Sequence, residues 1–365
     1  MQSFLQLVAH DLYAKIGNDL SRTALIFPNK RANLFFNEYL AGESDQPIWS
    51  PAAMSISDLF QKLSVQKSGD PIRLVCELYK VFKEETQSQE TLDDFYFWGE
   101  LLISDFDDVD KNMVDADKLF SNLQDLKNLM DDYEFLDKEQ EEAIQQFFQN
   151  FSIERRTALK EKFISLWDKL GTIYHHYREN LTELGIAYEG MLYRNVIEQL
   201  DTDQLKYDKY IFVGFNVLNK VENEFFRKLK DAGKALFYWD YDIFYTQQIR
   251  KHEAGEFLKR NLGEFPNELP ESFFDTFKEP KKIRYISAST ENAQARFLPE
   301  WIKMITDNHS QIAEEKEKEN AVVLCNEALL LPVLHSIPQE VKNVNITMGF
   351  PLAQTPIYSF INAAM

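Results

Sequence analysis

The amino-acid sequence predicts an α/β fold built around a parallel sheet, and three observations support this class. Short apolar runs of strand length open the segment Thr23–Leu40 and occupy Tyr210–Phe215 and Ala235–Asp240. Segments with apolar residues at helical spacing flank each run, as expected of strands joined by crossover helices. The chain of 365 residues is 44% hydrophobic, so it can bury the cores of two or three domains.

The first predicted element is a helix that ends near Gly17. Its apolar face consists of Leu5, Val8, Leu12 and Ile16. A short extended stretch is predicted at Ile48–Ser57. Ser57 and Asp58 are then predicted to cap the helix that begins at Leu59.

A long helical insertion is predicted next, because the segment from Asp93 to about Glu198 has helical periodicity with few glycines and no proline. We interpret residues 93–199 as this insertion. It interrupts a first α/β domain formed by residues 1–92 and 200–262. A linker rich in proline and acidic residues is predicted over residues 263–280.

A second, partial α/β domain is predicted over residues 281–365. Its strands are expected at Ile283–Ala288, Ala321–Cys325 and Val344–Met348, with the charged run Glu314–Glu319 as an exposed turn. Because this domain lacks further strands within the sequence, we interpret the chain as the N-terminal portion of a longer protein.

The segment Thr23–Leu40 reads TALIFPNKRANLFFNEYL, an apolar strand, a polar turn and a helix with Leu34, Phe35, Glu38 and Tyr39 at helical spacing. It resembles motif Ia of superfamily 1 DNA helicases, whose turn contacts single-stranded DNA. Tyr210–Phe215 lies where those enzymes have a strand ending in Asp-Glu, the pair that holds Mg²⁺ and the catalytic water. Gly214 and Phe215 stand at these degenerate Walker B positions.

The segment Ala235–Tyr245 resembles the next helicase motif strand, motif III. Asp240 is retained there, but Ile243 stands where the glutamine that senses the γ-phosphate belongs. No G-x-x-x-x-G-K-[ST] phosphate loop occurs in the chain. The resemblance is therefore to a helicase region whose motor residues are missing, and we expect neither tight ATP binding nor hydrolysis.

Within that superfamily the chain resembles nuclease–helicase proteins of the AddB type, in particular the Bacteroidetes proteins with an inactivated helicase region followed by a PD-(D/E)XK nuclease. Five more segments carry the resemblance: Phe97–Leu102, Ser104–Asp110, Gly185–Tyr193, Ile286–Arg296 and Asn345–Leu352. The resemblance implies a P-loop-helicase-like (RecA-like) domain with a helical insertion, followed by part of a second α/β domain.

The same resemblance implies a non-motor DNA-binding and scaffolding region of a double-strand-break repair nuclease. The nuclease domain and its Mg²⁺ are expected outside this chain, and a helicase–nuclease subunit is the implied partner. No catalytic residue, metal or cofactor is expected in the chain itself. Two alternatives remain open: a nucleotide-binding ATPase fragment completed by a partner, and a protein-interaction module without DNA contact.

The residues predicted to contact DNA are Asn29, Lys30 and Arg31, because ligands of open α/β sheets bind beyond the carboxyl ends of the strands. In the alternative interpretation, Asn29 starts a helix and the two cations are only solvated. Trp239 and Tyr241 are the aromatic residues predicted to stack on bases. The alternative is that the aromatic run around them belongs to the core.

The net charge of −19 argues against a surface broadly covered with phosphate-binding groups. The acidic residues are concentrated, since residues 91–150 contain 17 Asp and Glu against four Lys. A localised acidic module is therefore predicted beside segments that can still present a small basic groove.

The other clusters are predicted to be structural. Asp105, Asp107, Asp108 and Asp110 lack the spacing of a calcium loop and are interpreted as a solvated helix face or a domain contact. The adjacent His175 and His176 point in different directions on a helix, unlike a metal-binding pair, and are interpreted as surface residues. Glu314–Lys316 fits the letters of the Glu-x-Lys nuclease motif, but it has no strand character and is not interpreted as a nuclease site. Cys76 and Cys325 are predicted to be buried thiols. Without a signal peptide or a membrane-spanning run, a cytoplasmic location is expected.

Overall fold

A four-stranded parallel sheet organises the first of the two units into which the chain divides, Met1–Glu279 and Pro280–Met365. The computed structural model describes residues 2–121, 169–246, 253–305 and 320–364. The strands of the first unit are β1 Thr23–Phe27, β2 Ala52–Ser55, β3 Lys67–Ser68, β4 Ile186–Ala187, β5 Lys209–Val213 and β6 Ala235–Tyr238.

The described helices surround these strands. They are α1 Phe4–Ile16, α2 Ala32–Ala41, α3 Ile56–Leu63, α4 Pro71–Thr86, α5 Leu92–Lys111, α6 Leu170–Glu183, α7 Glu189–Gln199, α8 Lys220–Asp231, α9 Ile243–Thr246 and α10 Glu253–Glu264. The predicted first helix is confirmed, with Val8 and Leu12 buried and Gly17 at its C-terminal end with a φ of 83°. A positive φ suits glycine, which has no Cβ to clash.

The sheet has the strand order β2-β1-β5-β6, and all neighbouring strands are parallel. The predicted mixed α/β class with a parallel sheet is therefore confirmed. Two strands end two residues earlier than predicted, since β5 ends at Val213 and β6 at Tyr238. The predicted cap is also displaced by two residues. Ser55 is the N-cap of α3, and Asp58 completes its capping box.

Side chains of the central strand β1 alternate between two apolar cores, because successive strand residues point to opposite faces. Ala24 and Ile26 face a large core formed with α3 to α8. Leu25 and Phe27 face a smaller core formed with α1 and α2. The helices α5, α6 and α7, which lie in the predicted insertion, therefore share one apolar core with the sheet.

The second unit contains the helices α11 Glu291–Arg296, α12 Leu298–Ile305, α13 Leu330–Ser336 and α14 Pro356–Ala364. Its buried apolar residues include Ala295, Leu298, Leu330 and Val333. Within the described parts of this unit, none of the three predicted strand segments is paired in a sheet. Most of their apolar side chains, such as Val323 at 83% exposure, are solvent-exposed, whereas Leu324 is half-buried against this core.

The predicted strands of the second unit are therefore wrong as elements of a sheet. An apolar segment becomes a parallel strand only when neighbours pair its backbone and cover both of its faces. Cys325, predicted to be buried in the second of these strands, is exposed for the same reason, whereas Cys76 in α4 is half-buried. No helix in the described ranges is long and apolar enough to cross a membrane.

Candidate nucleic-acid interface

The carboxyl edge of the parallel sheet gathers the segments predicted to contact DNA. The strands β1, β5 and β6 are adjacent and parallel, so the chain leaves all three on the same side of the sheet. Residues 28–31, 214–216 and 239–242 follow these strands directly, and Ser55–Asp58 begin at the last residue of the neighbouring β2. We use the name carboxyl edge for these four segments.

Asn29 closes the polar turn between β1 and α2. Its Oδ1 accepts hydrogen bonds from the backbone N–H groups of Arg31 at 3.1 Å and Ala32 at 3.4 Å. These bonds hold the polar turn directly after the strand, and α2 itself begins at Ala32 with Arg31 at its N-cap position. The turn leaves Lys30 and Arg31 at the surface, since both residues are exposed.

Lys30 bridges two segments of the carboxyl edge. Its Nζ lies 3.0 Å from Oδ1 of Asp58, and its side chain is 75% exposed. Asp58 also accepts a hydrogen bond of 2.7 Å from the Ser55 hydroxyl. Hydrogen bonds from Ser55 and from Lys30 lower the pKa of Asp58. The ion pair is solvent-exposed, so Lys30 can exchange Asp58 for a phosphate at little cost.

Two apolar side chains lie exposed on the first turn of α2, beside these cations. Leu34 is 69% and Phe35 is 44% exposed, whereas Phe36 and Leu40 are buried. The helical spacing of Leu34 and Phe35 therefore does not mark the buried face of α2. Consecutive residues of a helix point about 100° apart, so three apolar residues in a row cannot all reach the core. Phe35 is the aromatic residue of this surface that the sequence prediction missed.

Gly214 forms a turn and Phe215 is a buried apolar residue at the two positions where the helicase resemblance places metal-binding acids. Gly214 has a φ of 73°, and its N–H donates a 2.9 Å hydrogen bond to the carbonyl of Tyr238. Phe215 is 5% exposed and packs edge-on against Phe226, with ring centroids 5.3 Å apart. This part of the carboxyl edge offers neither a carboxylate nor a polar cavity to a metal ion.

Trp239 belongs to the core, so its predicted role in stacking on DNA bases is wrong. The side chain is 1% exposed, and its indole Nε1–H donates a 2.9 Å hydrogen bond to the carbonyl of Phe265. Its ring stacks on Phe237, two residues earlier, at 6.2 Å. The two-residue period of a strand places both rings on the face of the larger core.

Tyr241 is half-buried and lines a cleft of about 510 Å³ together with residues that include Lys259 and Glu271. One face of its ring is covered by Phe274 at 4.4 Å. Burial, followed by the charge of Glu271, raises the pKa of the Tyr241 hydroxyl. Tyr241 therefore presents only part of its ring to a ligand.

Asp240 and Ile243, the degenerate motif III positions, have different surroundings. Asp240 is exposed, although surrounding protein atoms partly desolvate its carboxylate and raise its pKa. Ile243 packs against the smaller core, and its N–H donates a 2.8 Å hydrogen bond to the carbonyl of Phe274. Ile243 therefore holds the chain after β6 in place.

The acidic segment Ser104–Asp110 is structural, and at Asp107 and Asp110 it makes contacts with neighbouring segments instead of forming a solvated face. Asp110 is fully buried, and its carboxylate accepts hydrogen bonds from the hydroxyls of Tyr174 at 2.6 Å and Tyr188 at 2.5 Å. Its ionic partners are Arg178 and Arg194. Burial, followed by the charge of Asp110, raises the pKa of both tyrosines.

Asp107 joins α5 to α7. Its Oδ1 accepts a 2.5 Å hydrogen bond from the N–H of Gly190 in the first turn of α7, and its Oδ2 pairs with Lys111 at 2.8 Å. Lys111 also pairs with Glu189 at 2.6 Å. The carboxylate thus binds the unpaired donors at a helix N-terminus, which explains why the acidic run faces α7.

The two adjacent histidines do not form a joint site. His175 pairs with Asp117 at 2.8 Å and His176 with Glu85 at 2.6 Å, and both rings are exposed as predicted. Across the part of the chain that the structure describes, no group of three or more His, Cys, Asp and Glu residues is arranged to hold a metal ion. Glu314–Lys316 lie outside the described residues.

Comparison with known proteins adds no identification. No protein-family model matches the chain, and no curated protein matches it at a significant level.

Proposed function

We propose that this chain is a non-motor, RecA-like region of a helicase-like protein that binds single-stranded DNA at the carboxyl edge of its sheet. The observation that carries the proposal is the convergence of Asn29–Arg31, Gly214–Phe215 and Asp240–Tyr241 at one edge of adjacent parallel strands. Open α/β sheets bind their ligands at this edge.

The surface beside Asn29 has the two chemical groups that single strands need. Lys30 and Arg31 supply exposed cations for phosphates, and Phe35 supplies a partly exposed ring for a base. The acidic residues Asp58 and Asp240 lie at the same edge and oppose a polyanion. We therefore propose weak binding through a few phosphates, with the chain acting as a scaffold.

By the family resemblance, we further propose that the complete protein is an AddB-like nuclease of double-strand-break repair. Its Mg²⁺-dependent nuclease domain would lie outside this chain, and a helicase–nuclease subunit would be its partner. The chain would hold DNA in the cytoplasm while catalysis takes place elsewhere in the assembly.

Replacing Lys30 and Arg31 together with alanine is expected to weaken binding of a labelled oligothymidylate. The slope of log affinity against log salt is negative, and each lost phosphate contact makes it shallower by about 0.7, so the double substitution should make it shallower by about 0.7 to 1.4. Fluorescence anisotropy between 20 and roughly 150 mM salt, a range in which screening varies strongly, measures this slope.

The matched control removes two cations from the opposite, amino edge of the sheet. Arg22 precedes β1 and pairs with Asp208, and Lys209 is the first residue of β5. Arg22→Ala with Lys209→Ala changes the net charge equally and should leave the slope near that of the wild type. If both double variants change the salt dependence of DNA binding equally, the carboxyl edge is not the DNA site.

The ATPase alternative predicts a different result. Phosphoryl transfer needs a metal-holding acid and a phosphate cradle, but Phe215 is buried in the core and Gly214 has no side chain. We expect no heat of Mg-ATP binding at micromolar concentrations in calorimetry and no DNA-stimulated phosphate release. Saturable micromolar binding would favour the ATPase fragment, whereas absence of any single-strand binding would favour a protein-interaction module.

A further inference from the structure

A short basic segment opens the second unit. We define the basic segment as Lys281–Tyr285, which reads KKIRY and contains three cations and no acid. All five residues are exposed. Residues 280–365 contain eight Lys and Arg against nine Asp and Glu, so this unit is nearly neutral in a chain of net charge −19. A polyanion therefore meets much less repulsion here than at the first unit.

Arg284 keeps its charge available at the surface. Its Nη1 donates a 3.2 Å hydrogen bond to the sulfur of Met304, which is uncharged and a weak acceptor. This contact orients the guanidinium against α12 without neutralising it. Lys282 is exposed two residues earlier.

Tyr285 follows these cations with its side chain almost wholly in water. It is 92% exposed, and its neighbours Ile283 and Ile286 are 62% and 47% exposed. The fold therefore does not use this ring for packing. Five consecutive residues span at most about 18 Å, so the ring and the cations lie within reach of a few consecutive nucleotides.

We infer that the second unit carries its own contact for single-stranded nucleic acid, in which Lys282 and Arg284 bind phosphates and Tyr285 stacks on a base. An exposed aromatic ring beside cations matches the two features of a single strand, its phosphates and its base faces. An acidic polypeptide would use the cations but has no regular series of planar groups for Tyr285. The inference does not depend on the carboxyl edge of the first unit.

Anisotropy titrations of a labelled oligothymidylate with the whole chain test the inference. Lys282→Ala with Arg284→Ala should make the negative slope of log affinity against log salt shallower by about 1.4, or about 0.7 for each lost phosphate contact. Tyr285→Ala should weaken binding about fivefold or more, because it removes a stacked base. Tyr285→Phe keeps the ring and should remain within about twofold of the wild type.

The control in the same unit is Arg296→Ala with Lys342→Ala, which removes the same charge at exposed positions outside the basic segment. If this control weakens binding as much as Lys282→Ala with Arg284→Ala, or if Tyr285→Ala binds like the wild type, the inference is wrong. Efficient displacement of the DNA by polyglutamate, with no effect of Tyr285→Ala, would identify an acidic polypeptide site and also overturn it.

The variants also separate this contact from the carboxyl edge. In the Lys30→Ala and Arg31→Ala background, Lys282→Ala with Arg284→Ala should weaken binding further. If only Lys30→Ala with Arg31→Ala weakens DNA binding, the second-unit contact is contradicted and the proposed function is left intact. If only Lys282→Ala with Arg284→Ala weakens DNA binding, the second-unit contact is supported and the proposed site at the carboxyl edge is contradicted.

Discussion

Replacing Asp110 with alanine is expected to lower the free energy of unfolding of the first unit by about 3–5 kcal/mol, the typical effect of removing one partner from a buried ion pair. The carboxylate is fully buried and accepts hydrogen bonds from Tyr174 and Tyr188, while Arg178 and Arg194 balance its charge. Its loss leaves the two cations and two hydroxyls without their acceptor inside the protein.

Urea unfolding followed by circular dichroism measures this loss as a lower midpoint at a constant m-value. Asp110→Asn keeps the volume and removes the charge, so its loss should be smaller but above about 1 kcal/mol. Asp108→Ala is the control, because Asp108 lies on the same helix and is exposed. Equal midpoints for Asp110→Ala and Asp108→Ala would show that the buried network does not stabilise the unit.

Gly190→Ala is expected to destabilise the first unit by about 1–3 kcal/mol or more, because it overpacks the contact between α5 and α7. A Cβ built at Gly190 would lie 2.3 Å from the backbone oxygen of Asp107. This oxygen belongs to a helix backbone, so it cannot rotate away as a flexible side chain would. The helices must separate, which would also weaken the Asp107 hydrogen bond to the Gly190 N–H.

The control for this substitution is Gly263→Ala in α10. A Cβ at Gly263 would meet no atom within 4 Å. Alanine in a helix is favoured over glycine by up to about 1 kcal/mol, so Gly263→Ala should be neutral or stabilising. Thermal unfolding of both variants measures the difference. A Gly190→Ala protein as stable as Gly263→Ala would contradict the close approach of α5 and α7.

The parallel sheet could be predicted from sequence because its strands are buried on both faces. Such strands are continuous apolar runs, as in Thr23–Phe27 and Lys209–Val213, and they stand out between amphipathic helices. Adjacency of β1, β5 and β6 could not be read from these runs. It depends on packing between residues nearly two hundred positions apart along the chain.

The candidate site was predicted only in part, because exposure depends on which face the fold covers. Trp239 looked surface-exposed beside Asp240, but the strand period continues one residue beyond β6 and buries its ring. Helical spacing alone does not show that Phe36, and not Phe35, takes the core position in α2. The charge pattern around Asp110 was visible in the sequence. Its partners Tyr174 and Arg178 lie more than sixty residues away, so burial of this acid could not be foreseen.

The predicted strands of the second unit failed for a related reason. Segments such as Ala321–Cys325 have strand composition, but pairing partners decide whether such a segment forms a sheet. In the described residues these segments are mostly exposed, and one of them, Ile283–Ala288, overlaps the basic segment.

Photocrosslinking of an oligothymidylate that carries 4-thiothymidine tests most directly whether the carboxyl edge binds single-stranded DNA. Mass spectrometry of the digested complex is expected to find adducts in peptides that cover residues 28–38, and these adducts should decrease when Lys30 and Arg31 are replaced with alanine. Adducts confined to the amino edge around Arg22 and Lys209, or none within residues 28–38 at saturating DNA, would contradict the proposed function.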